Sequence, residues 1–227
     1  MPAAEGFHPP LEEYLEAVLE LEEESDAPVI QARLAERLGY SAPTVSETVR
    51  RLKAEGYLLT KGRALSLTTK GRTRAESVVR KHRLAERLLT DVIGLAWHKA
   101  HIEACRWEHV ISDEVEELLV VVLGHPSTCP HGNPIPGAEL PDRTLVSLAD
   151  AQPGDRVRLE RITEQVEIDT ESLTYLGENG FIPGAEAEVR SRAPDGTLTV
   201  ELADVAIALS PALASQMYVT EAESLPA

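Results

Sequence analysis

Four of the seven histidines fall between His82 and His109, among acids and a cysteine. His82 and Glu86 are spaced i, i+4, which sets them on one helix face about one turn apart. Cys105, Glu108 and His109, at i, i+3 and i+4, converge on one side of another helix, and His101 stands one turn before Cys105. Imidazole, carboxylate and thiolate together suit a divalent first-row transition metal, whereas Mg²⁺ and Ca²⁺ prefer all-oxygen sites. A lone His-x-x-x-Glu pair is usually a solvated helix surface, but two donor sets in so short a stretch favour a metal. The rival use is catalytic, with Cys105 as a thiolate activated by His101 or His109. That use ranks below the first, because HExxH, Gly-x-Ser-x-Gly and Walker-type Gly-rich signatures are absent from the sequence.

A second group of residues concerns charge. The chain has 227 residues and a formal net charge of −16, which by itself argues against nucleic acid. The charge is uneven, however. From Arg33 to Arg74 ten Lys or Arg face only Glu36, Glu47 and Glu55, whereas Met1 to Gln31 has nine acids and no Lys or Arg. A basic segment inside an acidic chain can present one positive face to DNA. Within it, the hydroxyls of Ser41, Thr44 and Ser46 lie at the start of a helix and could reach base edges, with Pro43 and Glu47 beside them on the DNA-binding face. Arg50, Arg51, Lys53, Lys61 and Arg63 would contact phosphates.

Certain elements must position these groups. Helical periodicity covers Leu11 to Glu22, Ile30 to Leu38, and a helix capped by Ser41 whose Val45, Val49 and Leu52 face inward. Two short strands, Tyr57 to Thr60 and Leu65 to Thr68, flank the turn Lys61-Gly62-Arg63. Helix, turn, helix and basic hairpin is the order of a winged helix-turn-helix, although the same order also serves protein interaction. Further helices are expected from Lys70 to about Ile93, from His98 onward, and from Ser112 to Leu123. Residues 124–141 are rich in Pro and Gly and read as a linker, with Cys129 and His131 as exposed linker residues rather than ligands. Beyond Leu145, alternating segments at Val157–Leu159, Ala187–Val189, Leu198–Leu202, Val205–Leu209 and Tyr218–Val219 predict a small β-barrel.

These residues resemble the diphtheria toxin repressor family, which includes manganese transport regulators. The likeness rests on Glu13-Tyr14-Leu15, Leu19 to Glu24, Ala35 to Leu38, Pro43 to Ser46, Arg80 to Val110, Ser112 to Glu116 and Gly132-Asn133-Pro134-Ile135-Pro136-Gly137. It implies a mainly α chain: a winged helix at 1–74, a metal-binding and dimerisation domain at 75–141, and an SH3-like (FeoA-like) barrel at 145–227. It also implies two metal sites per subunit, for Mn²⁺ or Fe²⁺. The primary site would take Cys105, Glu108, His109 and Glu13, the last standing where the family usually has a Met. The ancillary site would take His82, Glu86, His101, Glu164 and Glu167, with Arg83 and Asn133 at positions that help hold an anion.

The expectation is therefore a metal-dependent repressor that binds operator double-stranded DNA as a homodimer and represses metal-uptake genes. It is not read as an enzyme and has no small-molecule substrate. The alternatives are a metal-dependent enzyme or a metal-storage or adaptor protein without DNA binding, neither of which needs the basic hairpin. Two cysteines, no long apolar run and no basic, apolar start at Met1 to Pro10 point to the cytoplasm and away from membranes.

Overall fold

A computed structural model of the chain describes residues 11–203 and 205–222, so the expectation about Met1 to Pro10 lies outside the described residues. The chain divides into two compact units, Met1–Lys81 and His82–Ala227.

In the first unit, α1 (Leu11–Glu24) buries Leu15, Val18 and Leu19 along one stripe. α2 (Gln31–Leu38) stops where Gly39 takes a left-handed φ of 68° and its N–H donates to the Ala35 carbonyl. Ser41 caps α3 (Ala42–Ala54) by accepting from the Thr44 N–H, and Pro43 occupies the first turn, where no helical bond is lost. Val45, Val49 and Leu52 of α3 share a core with Leu34, Leu58 and Leu65. Then β1 (Leu58–Lys61) and β2 (Ala64–Leu67) pair antiparallel with Lys61 opposite Ala64. Gly62 and Arg63 make the turn, with Gly62 at a φ of 63°. α4 (Thr69–Arg87) begins in the first unit, passes into the second at His82, and runs on there into a π-helical turn, Leu88–Val92.

The second unit adds α5 (Trp97–Trp107) and α6 (Asp113–Val122), the latter capped by Ser112. Its strands are β3 (Val146–Ser147), β4 (Arg156–Ile162), β5 (Glu186–Arg192), β6 (Leu198–Leu202), β7 (Val205–Leu209) and β8 (Met217–Glu221). They form one antiparallel sheet in the order β3-β8-β4-β5-β6-β7, wrapped on Leu159, Phe181, Val189, Val200 and Met217. Between β4 and β5 the chain makes two helices, α7 (Glu164–Glu167) and α8 (Thr170–Glu178), and α9 (Pro211–Ala214) precedes β8.

The expected linker requires a correction. Its first half is folded: Cys129 N–H donates to the Asn133 carbonyl at 2.8 Å, and the Ile162 N–H of β4 donates to the His131 carbonyl at 3.0 Å. Arg87 of α4 donates to the carbonyls of Thr128 at 2.7 Å and Cys129 at 3.1 Å, and Trp97 Nε1 donates to that of Pro130 at 3.0 Å. Residues 139–145, leading up to β3, are exposed without interruption. Pro and Gly report backbone shape, and a buried turn needs them as much as a tether does. Gly132 shows why: at a φ of 89°, a Cβ there would lie 2.0 Å from the Glu160 carbonyl oxygen of β4.

Candidate metal centres and DNA-reading face

The five side chains expected at the ancillary site come together in the second unit. α4 presents His82 and Glu86 one turn apart, with Nε2 and Oε1 separated by 3.3 Å. From α5, His101 Nδ1 lies 3.6 Å from the same Glu86 oxygen. α7 adds Glu164 Oε1 and Glu167 Oε2, 3.0 and 3.4 Å from His101 Nδ1. Thr163 fixes the start of α7, its N–H donating to the Gln216 carbonyl at 3.0 Å. All five are buried. His82 Nε2, both Glu86 oxygens, His101 Nδ1 and Glu167 Oε2 have no hydrogen-bond partner within the protein. Unsatisfied polar atoms at that depth are costly. Donors bonded to one ion at about 2.0–2.2 Å lie roughly 3 Å apart, so the residues fit a divalent metal.

The charges agree with this. Burial opposes protonation of His82, but the Glu86 charge and the hydrogen bonds that the ring donates to Cys105 and Glu108 outweigh it and hold the imidazole well above its usual range. His101 is likewise raised against burial, by Cys105 and Glu164. Burial pushes Glu86 up, yet His131 and His82 bring it well below the carboxylate range. Glu167 is lowered against burial by His131, while burial and Glu167 raise Glu164. These shifts favour the protonated imidazoles when no cation is bound, and a metal competes with those protons.

Of the set expected at the primary site, Glu108 and His109 are in contact, Oε1 to Nε2 at 3.0 Å. The other oxygen of Glu108 lies 2.5 Å from His82 Nδ1. Cys105 is an exposed residue whose sulfur turns toward the buried His101, 3.6 Å from Nε2. Desolvation raises this thiol, but His101 and His82 outweigh it and lower it overall. Glu108 and Cys105 thus face the ring nitrogens of His82 and His101 that do not face the ancillary carboxylates. Such partners select the tautomer that leaves the inner nitrogen free to bind metal. Glu13 lies on α1 in the first unit, where the Tyr40 phenol is raised by burial, then by Glu13 and Tyr14.

Two residues escaped the sequence reading. Cys129 and His131, read as exposed, are 1% and 0% exposed. His131 Nδ1 lies 3.1 Å from Glu86 Oε1 and 2.8 Å from Glu167 Oε2. The Cys-x-His spacing was visible, but nothing local showed that the turn folds inward. Asn133 and Arg83 shape this wall: Asn133 Nδ2 donates to the Ile162 carbonyl at 3.0 Å and to Glu167, and Arg83 donates to the Pro134 carbonyl.

In the first unit, Ser41, Pro43, Thr44, Ser46, Glu47, Arg50, Arg51, Lys61 and Arg63 are all exposed, on α3 and the hairpin. The Ser41 and Thr44 hydroxyls bond each other at 2.8 Å. Arg50 stands 4.0 Å from Glu47 with 81% of its side chain exposed, whereas Arg51 is held by Glu55 at 3.0 Å.

Three family models match in succession. They are the iron dependent repressor N-terminal DNA binding domain at residues 7–64, the iron dependent repressor metal binding and dimerisation domain at 68–137, and the FeoA domain at 146–221. The iron-dependent repressor IdeR of Mycobacterium tuberculosis is 48% identical over 201 residues, 83% of this chain and 86% of that protein. The chain belongs to the iron-dependent repressor family. Another member of the family, the diphtheria toxin repressor of Corynebacterium diphtheriae, is 46% identical over 200 residues, 83% of this chain and 87% of its own. A solved manganese-dependent transcriptional repressor in complex with manganese superposes with a TM-score of 0.84 at 30% identity, covering 94% of this chain and 100% of that one. These relatives of the repressor family are DNA-binding regulators, not enzymes. The repressor reading therefore stands over the enzyme and storage alternatives, with a divalent metal, DNA and a second copy of the chain as its partners.

Proposed function

We propose that this member represses metal-uptake genes when Mn²⁺ or Fe²⁺ is plentiful, binding operator DNA as a homodimer in the cytoplasm. Each subunit holds metal at a primary site (Glu13, Cys105, Glu108, His109) and at an ancillary site (His82, Glu86, His101, Glu164, Glu167). The observation that carries this reading is the buried, unsatisfied donor set of the second unit, in a chain whose first unit exposes a DNA-reading helix. A bound divalent ion supplies positive charge that draws ligands from separate segments into one arrangement. Glu13 belongs to the unit that carries α3, so its participation would couple metal occupancy to the placement of the reading helix. There Ser41, Pro43, Thr44, Ser46 and Glu47 face base edges, and Arg50, Arg51, Lys61 and Arg63 face phosphates.

The test is selection of DNA from a random pool in Mn²⁺, followed by affinity titrations of the selected sequence with Mn²⁺, Fe²⁺ or chelator. Specific binding is expected only with metal, and His109→Ala should behave like chelator-treated protein. Equal affinity of metal-free protein for the selected DNA refutes the proposal.

A further inference from the structure

Trp97 opens α5 at a point where three segments of the second unit meet. Its indole Nε1 donates to the Pro130 carbonyl at 3.0 Å, which ties α5 to the folded turn before the barrel. Its ring stands 4.7 Å from that of His131 in the same turn. On the other side the indole packs against the barrel core that includes Leu173, Leu176 and Phe181. A Cβ added to Gly177 of α8 would lie 3.2 Å from Trp97 Cε3 and 3.7 Å from Cζ3. The backbone of α8 therefore closes directly onto the outer ring of the indole.

Glycine is a poor helix residue, because it gives up more backbone freedom than alanine and adds no side-chain contact. Gly177 is not explained by its backbone: it is absent from the left-handed region that Gly39, Gly180 and Gly184 occupy. What an alanine would disturb is the approach to Trp97, and that approach governs position. His101 is one turn along α5 from Trp97, so the two side chains share a face. Glu164 and Glu167 lie on α7, which only Ile168 and Asp169 separate from α8. Asp169 caps α8 by accepting from the Glu171 and Ser172 N–H groups at 3.2 and 3.3 Å. The Ile168 N–H donates to the Glu164 carbonyl at 3.1 Å. Helices α7 and α8 are thus held as one piece, and the seat of α8 on α5 decides where the two carboxylates meet His101 Nδ1.

We propose that Trp97 and Gly177 are the positioning pair of the ancillary site. Their contact sets the distance between α5 and the α7–α8 segment, and through it the affinity for the ancillary ion, without either residue touching metal. The proposal rests on the ancillary-site reading and adds what determines the strength of that site. Ligands bound at about 2.0–2.2 Å leave little slack, and a site loose by ~0.5 Å binds poorly. An alanine Cβ only 3.2 Å from Cε3 obliges the indole or α8 to give by a few tenths of an ångström, and Glu164 and Glu167 move with α8.

The test is Mn²⁺ titration of the full chain, followed by electron paramagnetic resonance. Two ions per chain are expected, and the ion weakened by Glu164→Gln/Glu167→Gln is the ancillary one. Gly177→Ala should raise the dissociation constant of that ion about tenfold, the usual scale for disturbing groups that orient metal ligands, and leave the other unchanged. Far-ultraviolet circular dichroism should not change, since alanine is the better helix former. Trp97→Phe removes the outer ring that meets Gly177 and should weaken the same ion; it carries the test if Gly177→Ala does not fold. Combined, the two changes should cost less than the sum of their separate losses, because the added methyl then has room. Equal weakening of both ions, strictly additive losses, or unaltered Mn²⁺ binding by folded Gly177→Ala overturns the positioning pair. If Glu164→Gln/Glu167→Gln weakens neither ion, the ancillary-site reading itself fails.

Discussion

Glu13 is a carboxylate at the position where the family usually supplies a thioether. A thioether is soft and neutral, and favours later, more polarisable metals. A carboxylate is hard and anionic and suits Mn²⁺ better, while Cys105 pulls the other way if its sulfur ligates. We expect Glu13→Met to move activation toward Fe²⁺ and to leave folding intact. Anaerobic operator-binding titrations read this directly, and an unchanged Mn²⁺/Fe²⁺ activation ratio refutes it. At this scale spacing was informative for His82 and Glu86, which helical periodicity puts on one face, whereas spacing set His101 beside Cys105 and only the family likeness grouped it with them. Glu164 and Glu167 came from the family likeness, and the structure brings both to His101. Cys129 and His131 were missed because burial of a turn depends on segments far away in sequence, here Arg87, Trp97 and Ile162.

At the scale of elements, α3 and the hairpin divide the work of binding DNA. Each phosphate contact removed should lower the slope of log affinity against log salt by about one unit. Arg50→Ala, Lys61→Ala and Arg63→Ala are expected to do so alike across sequences. Arg51→Ala should do less, because that side chain must first leave Glu55. Thr44→Ala and Ser46→Ala should relax sequence preference with little change in slope; filter binding across a salt series separates the two classes. Helix α3 was legible because Ser41, Pro43 and its i, i+4, i+7 apolar positions agree on one helix. Helix α7 was not, since a single turn between strands carries no period to detect.

For the whole molecule, α6 leaves Leu118, Val121 and Val122 58%, 64% and 65% exposed, an apolar stripe within the segment matching the dimerisation domain. Leu118→Glu with Val122→Glu should give a monomer by light scattering and weaken operator binding about tenfold or more. A dimer of unchanged stability would place the interface elsewhere. Stability should depend on pH with opposite trends in the two metal states. In metal-free protein His82, His101 and His131 are raised above 6.5, so their contribution is full below that value and lost as pH climbs through the folded values. Glu86, Glu108 and Glu167 are lowered from 4.5, and theirs is lost as pH falls. Metal replaces the imidazole protons, so the rise in Tm on adding Mn²⁺ should be larger at pH 8 than at pH 6. A metal-free Tm that rises between those two values contradicts this account.

The exposed stretch at 139–145 separates the helices that carry His82, Glu86 and His101 from the barrel segment that carries Glu164 and Glu167. A metal joining them is a reversible cross-link that closes a loop of tens of residues. A covalent closure of that length is worth roughly 4 kcal/mol of unfolded-chain entropy. Cutting the chain within 139–145 would make association of the two fragments concentration-dependent, with the ion adding its ligand bonds to the contacts that the His131–Asn133 turn makes with β4. Nicked protein is therefore expected to travel as one species in Mn²⁺ on size exclusion and to separate in chelator. The barrel would then act as a detachable arm, whose residence on the helices records whether metal is present.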